Sequence, residues 1–277
     1  MEKLIDLHTH TSASDGSLAP SEFILECKKE NIGAVAITDH DTTDAVSECM
    51  SSGKEFGIRV IPGIEISAEF YKELHILGLF IDHTSPYLLE FKENLLKFRK
   101  ERNIKMLNNL KISGMDISND KNVKSVDIKN LGRVHMALAL VENGFAEDIS
   151  DAFKKYLSRE TPYYEERKKY TIEESIKTIH NAGGLAFLAH PNHTCDDFSS
   201  LETLIRIMKG YGLDGIECYH TSMTPHFTSL CIKCAEKYNL LVSGGSDFHG
   251  ENRHGARLGR AYDGKELKYD ILKKIEK

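Results

Sequence analysis

Leu4-Ile5-Asp6-Leu7-His8-Thr9-His10 is a short apolar run that ends in two histidines, and its pattern recurs along the chain. On an extended segment every second side chain points the same way, so His8 and His10 project together and can grip one ion. Outward from this stretch, the first 80 residues alternate apolar runs with helical patterns, the mark of βα units on a largely parallel sheet. Strands are predicted at 4–7, 34–38, 60–66 and 74–81. A helix opens at Pro20, which suits the first helical position, and ends near Asn31 and Gly33; a weaker one spans 47–56.

From Pro86 the leucines recur at helical spacing among Lys, Arg and Glu, and two further helices are predicted at 134–141 and 149–157 after a poorly periodic stretch over 113–130. The βα rhythm resumes at Thr171, which forms a capping box with Glu174. Strands follow at 185–189, 215–218 and 240–244, with helices at 201–208 and 227–238 between them; an edge strand at 258–261 and a last helix over 266–275 complete the reading. The fold class is therefore α/β, a seven-stranded (β/α) barrel of residues 1–85 and 163–277 with a small helical insertion at 86–162.

Composition narrows the function. At 277 residues with 40% hydrophobic and 28% charged side chains, the chain is neither disordered nor a coiled coil. No run approaches the ~18–20 apolar residues of a membrane span, and the start lacks a charged segment with an apolar signal core, so a cytoplasmic protein is expected. A net charge of -6 argues against a broad grip on duplex nucleic acid. The six cysteines are scattered and read as free thiols; Cys231 and Cys234 form a CxxC that no second pair completes.

Thirteen histidines and no tryptophan are the unusual numbers, and the histidines are not spread evenly. His8 and His10 close the first strand, with Asp15 in the next loop; Asp39, His40 and Asp41 close the second, Glu65 the third, His190 the fifth, and Asp247 and His249 the seventh, while the fourth carries His75. In a βα barrel, strand ends converge on one rim. So many polar groups together are costly to bury unpaired, and cations satisfy them, which predicts a polynuclear metal site. Imidazole with carboxylate suits manganese, iron or zinc.

These stretches, with Ser14-Asp15-Gly16, Pro62-Gly63-Ile64-Glu65-Ile66-Ser67, Ala189-His190-Pro191 and Gly245-Ser246-Asp247-Phe248-His249-Gly250, resemble the PHP (polymerase and histidinol phosphatase) family. Gly132-Arg133-Val134-His135, followed by Tyr156-Leu157 and Pro162-Tyr163, resembles the insertion of the branch that hydrolyses nucleoside 3′,5′-bisphosphates and includes enzymes trimming the 5′ ends of short RNAs. The resemblance implies a distorted barrel, the PHP fold, carrying two or three divalent metal ions. It gives one metal to His8, His10, Glu65 and Asp247, a second to Asp15, His40 and His249, and a third to His75 and His190 with Glu65 bridging. Asp39 and Asp41 read as supporting partners or a helix cap.

The expected chemistry is attack on phosphorus by a hydroxide held at these metals, with no covalent enzyme intermediate. Arg133 is the expected phosphate donor and His135 a further substrate contact or proton donor. Weaker candidates are Arg159, Lys168, Lys169, Asn192, Arg253 and Arg257, with Tyr163 and Tyr164 as stacking faces. His83, His180, His193, His220, His226 and His254 are unassigned. The expected substrate is a nucleotide or short oligonucleotide, with no duplex nucleic acid, membrane or obligate protein partner. Rival readings are a histidinol-phosphate or other small phosphatase, a non-catalytic metal-stabilised accessory domain, and an amidohydrolase; nine filled ligand positions and no polymerase region weigh against the accessory domain.

Overall fold

The computed structural model describes residues 3–129, 131–253 and 255–276. They fall into two compact units, one running to Leu89 and resuming at Tyr170, the other spanning Glu90–Lys169. The division lies later at both ends than the spacing predicts. A single helix runs unbroken over Pro86–Ile112, and Tyr163 and Tyr164 pack into the helical core.

In the first unit the strands are β1 (Leu4–Asp6), β2 (Ile32–Ile37), β3 (Arg59–Ser67), β4 (His75–Leu79), β5 (Leu185–Leu188), β6 (Gly215–His220) and β7 (Leu241–Gly245), hydrogen-bonded in chain order. Neighbours pair in parallel except at β4, which runs antiparallel to both β3 and β5. Past the strand ends, the Leu7 amide donates to Gly244 O at 3.2 Å, Asp247 to His8 O at 2.9 Å and His10 to Phe248 O at 2.9 Å. First and last strands thus meet, and the sheet is a nearly closed barrel.

Strand alternation sorts the core. Ile5, Leu7, Ala34, Ala36, Ile61, Leu77, Leu79 and Phe187 form one buried cluster, while Val35 and Ile37 turn the other way to pack with Phe23, Ile24 and Cys27 of α1 (Pro20–Lys29) and with Val46 and Cys49 of α2 (Val46–Phe56). The predicted edge strand at 258–261 is absent: Leu258 joins the core through a turn, and Arg260 makes only an isolated bridge with Glu266. That bridge also delays the last helix of the described residues, which is Tyr269–Ile275 and does not begin at 266.

The helical unit holds most of α3 (Pro86–Ile112), then α4 (Lys121–Lys124), α5 (Arg133–Glu142) and α6 (Ile149–Ala152), which continues as a π-turn over Phe153–Leu157. Its core includes Met106, Leu110, Leu131, Met136, Leu140 and Leu157. The remaining barrel helices are α7 (Ile172–Asn181), α8 (Phe198–Gly210), α9 (Pro225–Tyr238) and α10 (Tyr269–Ile275).

One glycine fixes how closely β7 approaches the first strand. A Cβ on Gly245 would stand 2.2 Å from His8 Cβ and 2.6 Å from His8 N, neither of which can yield without moving the barrel seam. Gly245→Ala is expected to lower unfolding stability by about 1–3 kcal/mol, as overpacking of a dense interior does. Urea unfolding of both proteins measures the loss; equal midpoints would show the seam to be loose.

Candidate metal centre

All nine predicted ligand positions come to one rim of the barrel unit. His8 and His10 follow β1, His40 follows β2, Glu65 lies near the end of β3, His190 follows β5, and Asp247 and His249 follow β7. His75 opens β4 and does not close it. Because that strand is reversed, its start pairs with Ser67 at the end of β3, so His75 arrives at the same rim.

Glu65 is the centre of the arrangement. Its Oε1 stands 2.9 Å from His75 Nδ1 and 2.9 Å from His190 Nε2, while Oε2 is 3.0 Å from His40 Nδ1 and 3.3 Å from Nε2 of both His8 and His10. Asp247 Oδ1 lies 3.1 Å from His10 Nε2 and 3.5 Å from His8 Nε2. Asp15 reaches His249 Nε2 at 3.2 Å, His10 Nδ1 at 3.6 Å and His40 Nε2 at 3.7 Å. One carboxylate therefore faces two sets of imidazoles with its two oxygens, and His10 stands between the Asp247 group and the Asp15 group.

The chemistry of these atoms fits cations. His8 Nε2, both ring nitrogens of His10, His40 Nδ1, Glu65 Oε2 and His190 Nδ1 are buried with no hydrogen bond, although several lie close to one another. Leaving so many polar atoms unsatisfied is costly, and a metal accepts the lone pairs that hydrogen bonds do not use. Within the described residues, ligand atoms gather within 4.8 Å in overlapping groups that include His8, His10 and Glu65; His40, Glu65 and His75; and His10, Asp15, His40 and His249. These buried His, Asp and Glu clusters suit more than one metal ion.

Electrostatics follow the same map. Burial works against ionisation of Glu65, but the charges of His8, His75 and His40 outweigh it and hold the carboxyl well below its ordinary range. Asp247 is held down in the same way, by His8, His10 and His220. Burial disfavours charge on His10, yet Asp247 and Glu65 carry it up to about 9. Burial prevails at His190, which falls to about 4. The carboxylates favour protons on His8 and His10, and a cation bound at these imidazoles would compete with those protons.

Three contributors were not assigned from the sequence. Glu217, on β6, is fully buried; its Oε1 accepts from His8 Nδ1 at 3.0 Å and its Oε2 from the His190 amide at 2.7 Å. The first bond puts the His8 proton on Nδ1 and leaves Nε2 free to face the centre. The second holds His190 at a φ of 23°, a strained backbone for a non-glycine residue. His220 Nε2 lies 3.3 Å from Asp247 Oδ2, and His193 packs on His190 while approaching Glu73 at 3.3 Å. The signals were an acid inside an apolar strand and a histidine closing β6, whose pairing shifts register between Glu217 and Tyr219 and so extends beyond 218.

Asp39 accepts from the Thr11 amide and hydroxyl and from Ser14 Oγ, and Asp41 from the Ser67 amide at 3.0 Å, so both brace rim loops. A cleft of about 760 Å³ opens over the centre, with Arg253 at its wall in contact with Asp247. That volume suits a small organic ligand. Asn192 bonds Ser222, Arg257 lies 3.8 Å from Glu30, His83 bonds Ser47, His180 bonds Asp214, and His226 is exposed. His254 lies outside the described residues. Cys231 and Cys234 are buried on α9, and burial pushes both thiols up, against metal or redox use.

Arg133 and His135 belong to the helical unit. Arg133 opens α5, donates to Leu157 O at 3.1 Å and lies over the rings of Phe153 and Tyr164; His135 Nδ1 accepts from the Gly132 amide at 2.9 Å, capping the helix. Arg159 pairs with Glu166, Lys168 lies over Phe98, and Tyr163 and Tyr164 pack on the helical core. Nothing in the structure singles out Lys169. Among the described residues no helix is long and apolar enough to cross a membrane.

Fold and site together define a metal-dependent hydrolase built on a nearly closed α/β barrel. The PHP domain model matches residues 6–179, and the chain belongs to that family, as a metal-dependent phosphoesterase. It is 34% identical over 249 residues to the 5′-3′ exoribonuclease Rnm of Escherichia coli, covering 89% of this chain and 85% of that one. It is 30% identical over 274 residues to the 3′,5′-nucleoside bisphosphate phosphatase of Chromobacterium violaceum, covering 98% and 96%. The structure of an amidohydrolase from Chromobacterium violaceum, with bound sulfate and no metal, superposes with a TM-score of 0.73 at 29% identity, over 97% of this chain and 95% of that one.

Proposed function

We propose that this protein hydrolyses phosphate monoesters of nucleotides, chiefly the 3′-phosphate of nucleoside 3′,5′-bisphosphates, and trims the 5′ ends of short RNA oligonucleotides. The observation that carries the reading is Glu65, whose two oxygens face separate imidazole sets with orphaned ring nitrogens between them. The relatives named a bisphosphate phosphatase and an exoribonuclease support the substrate class. In this reading His8, His10, Glu65 and Asp247 hold one divalent ion, Asp15, His40 and His249 a second, and His75 and His190 a third that shares Glu65. Manganese, iron or zinc held by these residues would lower the pKa of a bound water and neutralise phosphate oxygens.

The chain's own groups do the positioning. Glu217 fixes the His8 tautomer and the His190 backbone, Arg253 offers planar donors at the cleft wall, and Arg133 holds a substrate phosphate through its guanidinium. His135 has its Nδ1 committed to the helix cap, which leaves Nε2 as its proton-donating atom. The helical part serves in this reading as the substrate-selecting subdomain.

Phosphate release is measured from adenosine 3′,5′-bisphosphate, adenosine 5′-monophosphate, histidinol phosphate and a short 5′-phosphorylated RNA, with manganese or chelator. Manganese-dependent release from the bisphosphate well above the monophosphates is expected. Silence across the panel with metal bound would move the weight to a non-catalytic metal-stabilised domain or to amide hydrolysis, the latter being the reading that the amidohydrolase likeness supports. Arg133→Ala is expected to raise KM for the bisphosphate by about tenfold or more, the worth of a charge-assisted contact, and to affect a small aryl phosphate far less. Equal rises for both substrates would remove Arg133 from recognition.

A further inference from the structure

At the mouth of the cleft, beyond the nine positions of the centre, Glu73 and His193 meet on one wall. We propose that these two side chains, with Nδ1 of His190, form an outer position for a divalent transition-metal ion, which His190 hands on to the centre.

Local structure builds this corner. The His190 backbone, at a φ of 23°, turns the chain into a short 3₁₀ helix over Pro191–His193, and the His193 ring comes to lie on the His190 ring with centroids 4.3 Å apart. Thr194 Oγ1 donates to Glu73 O at 2.6 Å and Lys72 pairs with Asp196 at 2.6 Å, so the segment before His75 is tied to the segment after His190. One ligand atom each from Glu73, His190 and His193 lies within 4.8 Å of the other two.

The hydrogen bonds of Ser222 fix which atoms are bare. Nδ1 of His220 accepts from the Ser222 amide at 3.1 Å, so it carries no proton, and at 2.8 Å it draws the one proton of the Ser222 hydroxyl. His193 Nε2, 3.0 Å from the same hydroxyl oxygen, is then the donor to it, which leaves Nδ1 of a neutral His193 bare. That nitrogen stands 3.3 Å from Glu73 Oε1, lone pair against carboxylate. Two ligand atoms that share a tetrahedral ion through bonds of about 2.0–2.2 Å stand about 3.3–3.6 Å apart. A proton would bridge this pair but would do nothing for His190 Nδ1, which is buried without a hydrogen-bond partner among the described residues while Nε2 faces Glu65 at 2.9 Å. A cation satisfies all three atoms. Two imidazoles and one carboxylate, with a fourth place open to the cleft, suit zinc or another late first-row divalent ion.

A neutral His190 ring has one proton and so one free nitrogen at a time. With Nδ1 on an outer ion, Nε2–H donates to Glu65; with Nε2 on an ion at the centre, Nδ1 keeps the proton. The two positions exclude each other, and transfer moves one ion inward and one ring proton, through solvent, from Nε2 to Nδ1. That the inner position is the third metal of a phosphoesterase rests on the function proposed above; the outer position does not.

Chelated full-length protein is titrated with cobalt(II), followed by calorimetry and by visible absorption of the bound ion. His75→Ala removes an inner ligand and leaves His190 Nδ1 to the outer position. It is expected to hold its last cobalt ion about tenfold or more tightly than His75→Ala/Glu73→Gln or His75→Ala/His193→Phe, the second of which keeps a ring on His190 but has no nitrogen. With His75 in place, Glu73→Gln and His193→Phe should reach the wild-type cobalt content but load the last ion about tenfold more slowly. Equal cobalt binding by His75→Ala and either double variant, or wild-type loading in either single variant, overturns the outer position. So does a lower final content in the single variants, which would make Glu73 and His193 part of the centre. Should His75→Ala fail to fold by circular dichroism, the loading rates of the single variants decide. Slowed loading without hydrolysis of any nucleotide leaves the outer position standing and removes the proposed function; nucleotide hydrolysis with unchanged loading does the reverse.

Discussion

Glu65→Gln is expected to reduce metal-dependent phosphate release by at least about a thousandfold, a loss of roughly 4 kcal/mol of transition-state stabilisation. The side chain is fully buried and within 3.3 Å of ring nitrogens from His8, His10, His40, His75 and His190. An amide keeps the shape but supplies a neutral oxygen on one side and a donor on the other, so it cannot serve two cation sites at once. Metal content, measured by elemental analysis after gel filtration, should fall along with activity. A folded Glu65→Gln protein that keeps its metals and its rate would remove Glu65 from the centre.

Asp6→Asn should produce the largest loss of stability. Asp6 is buried at the barrel seam, where Oδ1 accepts from the His8 amide at 3.3 Å and the Ser246 amide at 2.9 Å, and Oδ2 accepts from Ser246 Oγ at 2.6 Å and the Gly259 amide at 2.8 Å. An asparagine turns a donor toward one of these donor pairs, at a cost of about 2–4 kcal/mol. The pH dependence has a defined sign. Burial raises Asp6 to about 6, against hydrogen bonds from Ser246 and Gly259 that lower it, from an ordinary 3.8. The folded state thus binds this proton more tightly than the unfolded one, and stability falls as pH rises from about 4 through 6. Wild type should lose up to roughly 3 kcal/mol across that window from this group, and the asparagine variant should lack the slope. Urea unfolding of both proteins at pH 4 to 7 gives the difference; parallel curves would mean that Asp6 does not titrate there.

How much of this was legible in the sequence depends on the range of the interaction. The strands were readable because Ile32–Ile37 is apolar on both faces and because glycines and prolines punctuate the runs. The gathering of the candidate ligand positions was readable because strand ends share a rim. What escaped were features set by pairing partners far along the chain. The reversal of β4 depends on β3 and β5, and nothing within Leu74 to Ile81 records direction. The extension of β6 to His220 depends on a register shift against β7, so a strand judged by its own residues stopped at Cys218 and hid both His220 and the role of Glu217. The segment 258–261 has strand-like residues but no partner ladder beyond one bridge.

The Asp6 clamp also bears on the order in which the molecule forms. Its bonds to Ser246 and Gly259 join residues 240 and 253 positions apart, among the most distant contacts the chain makes. Loop closure over such separations is slow and is rewarded only once the intervening strands are stacked. During synthesis, His8 and His10 emerge long before Asp247 and His249, so the nascent chain carries seven of the nine candidate positions and lacks the last two until the segment after β7 has left the ribosome. The barrel seam and the last two positions of the candidate centre are therefore completed in the same late step, which ties the finished centre to the final commitment of the fold.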